Sequence, residues 1–209
     1  MRRWTSPLTP SSGSTALARP PPARGSRRNP LIPQPSPRCI GGPNDPVKAT
    51  KGRHMSELAA GAAAPSFTLP SDGGATVSLA DYHGKKLVLY LYPRADTPGC
   101  TREAQAFSAL APAFAAAGTA VLGVSADPVA AQDAFKAKYQ LAIPLASDEK
   151  HKMLQAYGVW GKKSMYGKTF MGIVRTTFLI GLDGKIARKW AKVKVDGHAE
   201  EVLAAAKAL

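Results

Sequence analysis

This 209-residue sequence contains few cysteines, no cluster of histidines and no long apolar run. The only cysteines are Cys39 and Cys100, which are too few for a disulfide framework and do not form a Cys-x-x-Cys pair. The four histidines are scattered, without the spacing of a zinc site. No run approaches about 18 consecutive apolar residues, the length expected of a transmembrane helix. We therefore expect no metal, no cofactor, no membrane association and no disulfide exchange of the thioredoxin type.

Acidic residues are also in the minority, and the net charge is +14 at pH 7. The excess is concentrated in residues 1–54, where ten Arg and Lys stand against one acid, Asp45, and account for +9. The remaining residues hold 18 bases and 13 acids, a balance that mostly reflects solubility. We therefore expect no nucleic-acid partner, although a basic arm within residues 1–54 stays open as an alternative.

The same N-terminal stretch contains 11 of the 18 prolines and few periodic apolar residues. A segment of this composition cannot bury enough apolar surface to offset the entropy lost on ordering. The sequence thus predicts a disordered tail over residues 1–54 and one domain over residues 55–209. The tail has the Arg and Ser content of a transit peptide, so the expected location is cytoplasmic or, if the tail directs import, organellar. A third interpretation places the true start at Met55.

An apolar run over residues 87–92 introduces the stretch around which the domain is organised. Six residues without a charge predict a strand that is buried on both faces. Pro93, and then Pro98 with Gly99, end this strand and force a loop. The pattern becomes helical directly after Cys100, at about Thr101. Cys100 is therefore predicted to lie where a buried strand ends and a helix begins.

This position favours a reactive cysteine. A helix N-terminus has unpaired N–H groups and about half a positive charge, and both favour the thiolate over the thiol. The thiolate is the nucleophilic form of the side chain. Cys100 is therefore the candidate nucleophile, whereas Cys39 lies in the predicted tail.

The rest of the domain alternates between strand and helix patterns. Pro112 is expected to divide the first helix, and Asp127 is the predicted N-cap of the next one, with Pro128 at its first position. A hairpin of strands at 176–180 and 186–193 and a helix at about 197–208 close the chain. The order β-β-β-α-β-α-β-α-β-β-α predicts an α/β sandwich with a mixed central sheet.

The residues around Cys100 resemble a known family. Pro93, Thr97 and Cys100 have the spacing Pro-x-x-x-Thr-x-x-Cys of the peroxiredoxin active site. The longer string Tyr-Pro-Arg-Ala-Asp-Thr-Pro-Gly-Cys-Thr-Arg-Glu is similar to the Q-type branch, also called bacterioferritin comigratory proteins. Segments 158–168 and 172–180 match that branch in order, and the resemblance covers about residues 59–209. It implies a thioredoxin-like fold.

The resemblance also implies a thiol peroxidase that reduces hydrogen peroxide and alkyl hydroperoxides through a sulfenic acid on Cys100. Arg175 would supply a fixed charge and donors, Thr97 would position the peroxide and Pro93 would shield the thiolate. Glu103 would either orient the arginine or complement the helix dipole. The implied partners are the peroxide and an external thiol such as thioredoxin, glutaredoxin or glutathione, with the protein a monomer or weak dimer. Four aromatic residues are expected in the core or the pocket wall: Tyr90, Tyr92, Trp160 and Tyr166.

One departure from the Q-type pattern concerns the second cysteine. Many members place it five residues after the first, where this sequence has Gln105, and others place it on a later helix, where this sequence has Leu154. The domain is therefore predicted to lack a resolving thiol, so that Cys100 sulfenic acid is reduced from outside or over-oxidised. The alternative function is a redox-sensing binding or chaperone module with Cys100 as the sensor.

Overall fold

The computed structural model describes residues 58–165 and 168–209 of the chain. The predicted tail, Cys39, the predicted domain start at residue 55 and Tyr166 lie outside the described residues. In chain order, the strands and helices are β1 (Thr68–Pro70), β2 (Thr76–Ser78), β3 (Lys86–Leu91), α1 (Pro98–Ala109), α2 (Ala111–Ala116), β4 (Thr119–Ser125), α3 (Val129–Tyr139), β5 (Leu145–Ser147), α4 (Lys152–Ala156), β6 (Trp160–Met165), β7 (Lys168–Ile173), β8 (Thr176–Ile180), β9 (Ile186–Ala191) and α5 (His198–Ala208).

A five-stranded sheet forms the centre of the domain, with strand order β5-β4-β3-β8-β9. Strands β3, β4 and β5 are parallel, whereas β8 pairs antiparallel with both β3 and β9. The predicted α/β fold with a mixed sheet is confirmed. Strands β1 and β2 form the predicted N-terminal hairpin, and short 3-10 turns follow each of them.

Strand β3 is the middle strand, and its side chains supply both hydrophobic cores. Leu87, Leu89 and Leu91 face one core, which also contains residues of β1 and α4. Val88, Tyr90 and the following residue Tyr92 face the other, which contains residues of α1, α2, α3 and α5. The alternation follows from the two-residue period of a strand. Because both faces are covered, the uncharged run predicted as a doubly buried strand is confirmed.

The start of the first helix differs from the predicted one. Helix α1 begins at Pro98 rather than about Thr101, because proline at the start of a helix loses no hydrogen bond and has a suitable φ. Cys100 therefore lies inside the first turn instead of before it. At the other end, Pro112 separates α1 from α2, as predicted.

The predicted capping role of Asp127 is wrong. Pro128 itself precedes α3 with an extended conformation, and no side chain caps that helix. The Asp127 carboxylate instead accepts hydrogen bonds from the Ala95 N–H and the Ser125 hydroxyl, both at 2.7 Å. Asp127 thus fastens the loop after β3 to the end of β4, a long-range contact that local sequence patterns do not reveal.

The hairpin of β6 and β7 was not predicted. It lies outside the central sheet, with Trp160 paired to Ile173 and Lys163 paired to Phe170.

Within residues 58–165 and 168–209, no helix has the length and apolarity required to cross a membrane. The same residues contain no cluster of three or more His, Cys, Asp or Glu side chains suited to a metal ion.

Gly123 provides a test of the packing between β3 and β4. It pairs with Tyr90, and a Cβ atom at Gly123 would lie 2.5 Å from the Cζ and hydroxyl atoms of the Tyr90 ring. We expect Gly123→Ala to lower the free energy of unfolding by about 1–3 kcal/mol, because the buried ring has little room to move. Urea unfolding would measure the change.

Gly161→Ala is the matched control for this substitution. Gly161 also lies in a strand, but a Cβ atom there meets nothing within 4 Å. Its free energy of unfolding should stay close to that of the wild type. Equal effects of the two substitutions would contradict the packing role of the Tyr90 ring.

Candidate active site

Cys100 is the third residue of α1 and is buried, with 1% of its surface exposed. The helix begins at this point because Thr97 is extended and its carbonyl accepts the first intrahelical bond, from the Thr101 N–H at 2.8 Å. The first N–H groups of α1 have no intrahelical partner, and they favour negative charge nearby. The sulfur therefore lies in an apolar core and at the positive end of a helix.

Arg175 is the residue that contacts this sulfur. It lies between β7 and β8, and its Nη2 atom is 3.1 Å from Cys100 Sγ. The backbone around it is held by hydrogen bonds from Val174 N–H to Val159 O at 2.8 Å and from Val193 N–H to Arg175 O at 3.2 Å. The structure thus brings together two residues that are 75 positions apart in sequence.

Glu103 binds the Arg175 guanidinium through its other terminal nitrogen. Its Oε2 atom accepts a hydrogen bond from Arg175 Nη1, and its side chain is only 2% exposed. Burial raises the pKa of Glu103 to about 7, although Arg175 acts in the opposite direction. Of the two predicted alternatives, orienting an arginine and complementing the helix dipole, the geometry matches the first.

Gly99 was missed by the sequence analysis. A Cβ atom at this position would lie 3.3 Å from Arg175 Nη2, so a side chain would press on the guanidinium. The absence of a side chain allows Arg175 to approach the start of α1. The Pro-Gly-Cys string contained the signal, since glycine beside a candidate nucleophile often marks a close approach.

Thr97 and Pro93 lie in the loop between β3 and α1, where the sequence placed them. The Thr97 hydroxyl donates to the Arg94 carbonyl at 3.0 Å, which leaves its oxygen able to accept a further hydrogen bond. The loop itself is anchored by Asp96, whose carboxylate accepts from Lys138 Nζ and from the Tyr139 hydroxyl at 2.7 Å. These contacts fix the loop to the end of α3.

The aromatic side chains near the site pack in the cores. Tyr90 stacks on Phe107 with ring centroids 4.8 Å apart, and Tyr92 donates a hydrogen bond to Gln132. Burial raises the pKa of both tyrosine hydroxyls above the usual range. These phenols therefore stay neutral and do not compete with Cys100 as nucleophiles.

The two positions named for a missing second cysteine lie apart from Cys100. Gln105 is exposed on α1, whereas Cys100 is buried on the same helix. Leu154 is fully buried, but it belongs to the core on the opposite face of the central sheet. Cys100 is the one cysteine in the part of the chain that the structure describes.

Comparisons with known proteins all point to one family. The model of the AhpC/TSA family matches residues 60–189. Peroxiredoxin Bcp of Xanthomonas campestris is 47% identical over 147 residues, which are 69% of this chain and 92% of the relative. Peroxiredoxin Bcp of Bacillus subtilis is 44% identical over 143 residues, 68% of this chain and 91% of the relative.

Solved structures show the same similarity. A structure of the X. campestris bacterioferritin comigratory protein, from work on its alkyl peroxide reduction activity, has a TM-score of 0.65 and 46% identity. The match covers 68% of this chain and 90% of that chain. Peroxiredoxin Q of the same organism has been solved with serine in place of each of two different cysteines.

The contact between Arg175 and the sulfur predicts a large kinetic effect. We expect Arg175→Met to slow the oxidation of Cys100 by peroxide by about 10²–10³-fold, the usual cost of removing one donor to a developing negative charge. Stopped-flow fluorescence would measure the rate. Arg188→Met is the control, since Arg188 is about half exposed and pairs with Glu201 on α5. If both variants reacted as fast as the wild type, the contact would have no role in the reaction.

The raised pKa of Glu103 predicts a pH-dependent stability. The ordinary value is 4.5 and the value in the fold is about 7, so between them the folded protein binds a proton that the unfolded chain releases. The Glu103 proton therefore contributes fully to the free energy of unfolding below pH 4.5, and this contribution is lost as the pH rises through about 7. At 1.36 kcal/mol per pKa unit, this loss amounts to about 3 kcal/mol.

Glu103→Gln removes the titrating group and should remove this fall in stability. Urea unfolding at several pH values would measure the free energy of unfolding of both proteins. The other titrating groups are common to the two, so the difference between the curves reports Glu103 alone. Parallel curves across this range would mean that Glu103 is ionised throughout.

Proposed function

Because this chain belongs to the AhpC/TSA family, in its peroxiredoxin Q branch, we propose that Cys100 is the residue through which it reduces peroxides. The chain is a thiol peroxidase. The observation that supports Cys100 most directly is the 3.1 Å contact between its sulfur and the Arg175 guanidinium at the start of α1. A permanent cation and a helix N-terminus both stabilise the thiolate that the reaction requires.

In the proposed reaction, the Cys100 thiolate attacks the terminal oxygen of a hydroperoxide. The new S–O bond forms as the O–O bond breaks, and the alkoxide or hydroxide leaves with the electron pair. The sulfur is oxidised to sulfenic acid, the peroxide is reduced, and the leaving oxygen takes a proton to become an alcohol or water. The Arg175 donors face the negative charge that moves from sulfur to oxygen, where they lower the barrier most.

Thr97 and Pro93 assist this step in the proposal. The Thr97 hydroxyl donates to the Arg94 carbonyl, so its oxygen can accept a hydrogen bond from the O–H of the hydroperoxide and orient it. Pro93 follows the buried strand and has no N–H to offer, which keeps a competing donor away from the thiolate. Glu103 fixes the guanidinium and does not touch the substrate.

The burial of Cys100 limits what part of a substrate reaches the sulfur. With 1% of the residue exposed, we expect the narrow O–O–H end of a substrate to reach the sulfur while any alkyl group stays outside. Hydrogen peroxide and alkyl hydroperoxides both meet this requirement. Alkyl hydroperoxides are also supported by the X. campestris relative, which was studied for its alkyl peroxide reduction activity.

We further propose that an external thiol completes the cycle. The thiol attacks the sulfenic acid to form a mixed disulfide and water, and a second thiol releases Cys100 and leaves as the disulfide. Gln105 and Leu154 occupy the two positions named for a second cysteine, and their placement supports this route. The reductant is a thioredoxin, a glutaredoxin or glutathione. A redox-sensing module, the alternative, is not favoured because the relatives are peroxiredoxins.

A mass measurement tests the one-cysteine cycle. Wild-type protein treated with substoichiometric peroxide and dimedone should acquire one dimedone adduct at Cys100, because Cys100 is the only cysteine of residues 55–209 and the domain has no second thiol to consume the sulfenic acid. Cys100→Ser should abolish both the adduct and peroxide consumption. Cys39→Ser, the control, should leave both nearly unchanged. A stoichiometric disulfide between Cys39 and Cys100 in the wild type would overturn the proposal.

A further inference from the structure

Lys163 is a cation near Arg175 that the reaction scheme does not use. It lies on β6, opposite Phe170 on β7, and its side chain is half-buried. Its Nζ atom donates a hydrogen bond to the Ile173 carbonyl at 2.5 Å. Ile173 is the last residue of β7 and precedes Arg175 by two positions, so Lys163 is tied to the segment that delivers the guanidinium.

Gly172 makes this arrangement of Lys163 possible. Gly172 and Gly161 pair across the hairpin, on the same face as Lys163 and Phe170. A Cβ atom at Gly172 would lie 3.2 Å from Lys163 Cδ, which is tighter than an ordinary contact. Because the glycine has no side chain, the lysine lies flat across it and extends from its own position toward Arg175.

The charges around the site give Lys163 a further role. Arg175 shares its charge between the Glu103 carboxyl group and the Cys100 sulfur. Among the described residues, no carboxylate lies within ion-pair distance of Lys163 Nζ, and its only bonded partner is the Ile173 carbonyl. Lys163 therefore brings a second cation to the segment from which the Arg175 guanidinium reaches Cys100.

We propose that Lys163 is a positioning residue of the peroxidase, which holds the Ile173–Arg175 segment in place and adds a second cation to the segment that carries the guanidinium bonded to Cys100. This inference rests on the proposed role of Cys100. The pKa of Lys163 fits the placement: burial and Arg175 lower it, while the Cys100 thiolate raises it. Lys163 is thus within electrostatic reach of both. The titratable groups around this cluster are Glu103 and Cys100 on α1, Tyr90 on β3, Arg175 before β8 and His198 on α5.

Three substitutions separate the charge of Lys163 from its hydrogen bond. Lys163→Met removes both, Lys163→Gln keeps a donor but loses the charge, and Lys163→Arg keeps the charge. Lys162→Met is the matched control, because Lys162 is the exposed neighbour on the other face of β6. All are made in a Cys39→Ser background, so that Cys100 is the only thiol.

The first measurement is the ultraviolet absorbance of the Cys100 thiolate as a function of pH, which reports the thiolate fraction without any reagent that has to reach the buried sulfur. We expect the thiolate fraction of the Met and Gln variants to be about three- to tenfold smaller than that of the wild type at mildly acidic pH. The Arg and Lys162→Met variants should follow the wild type. The second measurement, stopped-flow oxidation by hydrogen peroxide, should show the same order.

Two outcomes would overturn the proposal. If Lys163→Gln and Lys163→Met have the thiolate fraction of the wild type and only the melting temperature falls, Lys163 is a structural link in the hairpin. If Lys163→Arg loses as much thiolate as Lys163→Met, a charge at this position does not stabilise the thiolate. Failure of the proposed function would look different, since the wild type itself would then not form Cys100 sulfenic acid, whatever its thiolate fraction.

Discussion

The site depends on one guanidinium that bonds a sulfur and a carboxylate at the same time. Cys100 and Glu103 are three positions apart on α1, so they lie on the same face and a single arginine spans both. Arg175 reaches them because β8 pairs antiparallel with β3 in the register that places Thr176 opposite Leu91. The pairing of these two strands therefore fixes the distance between the cation and the nucleophile. The sheet is in this sense part of the active site.

This arrangement has an energetic cost, because a buried, charged carboxylate lowers the free energy of unfolding unless it is paired. Burial raises the pKa of Glu103 to about 7, which places its titration near neutral pH. Its second oxygen has no hydrogen-bond partner among the described protein atoms, nor has the Tyr90 hydroxyl. The contact with Arg175 is thus the main compensation for the Glu103 charge. A substitution at Arg175 affects both of its partners, because the Cys100 thiolate and the Glu103 carboxylate would then lie in an apolar environment without this cation.

The sequence was most informative where local patterns determine structure. The uncharged run before Cys100, the prolines after it and the helical pattern beyond it were enough to predict β3, the loop and α1. The peroxiredoxin resemblance identified Arg175, which no local pattern could connect with Cys100 because the two are 75 positions apart. The β6–β7 hairpin was missed because its strands belong to a separate two-stranded sheet. Asp127 was assigned to a helix cap because its bonds to Ala95 and Ser125 depend on how the strands assemble.

The position of Cys100 also constrains how an outside thiol can reach it. Only 1% of the Cys100 surface is exposed, so the chain around Cys100 must open before an outside thiol can attack the sulfur. This segment is short, because α1 begins at Pro98 and ends before Pro112. Oxidation itself favours the opening: sulfenic acid lacks the negative charge of the thiolate, so Arg175 holds the oxidised residue less strongly. The negative charge that makes Cys100 reactive toward peroxide is therefore lost when the sulfur is oxidised. The sulfur must become accessible to the outside thiol after that same step.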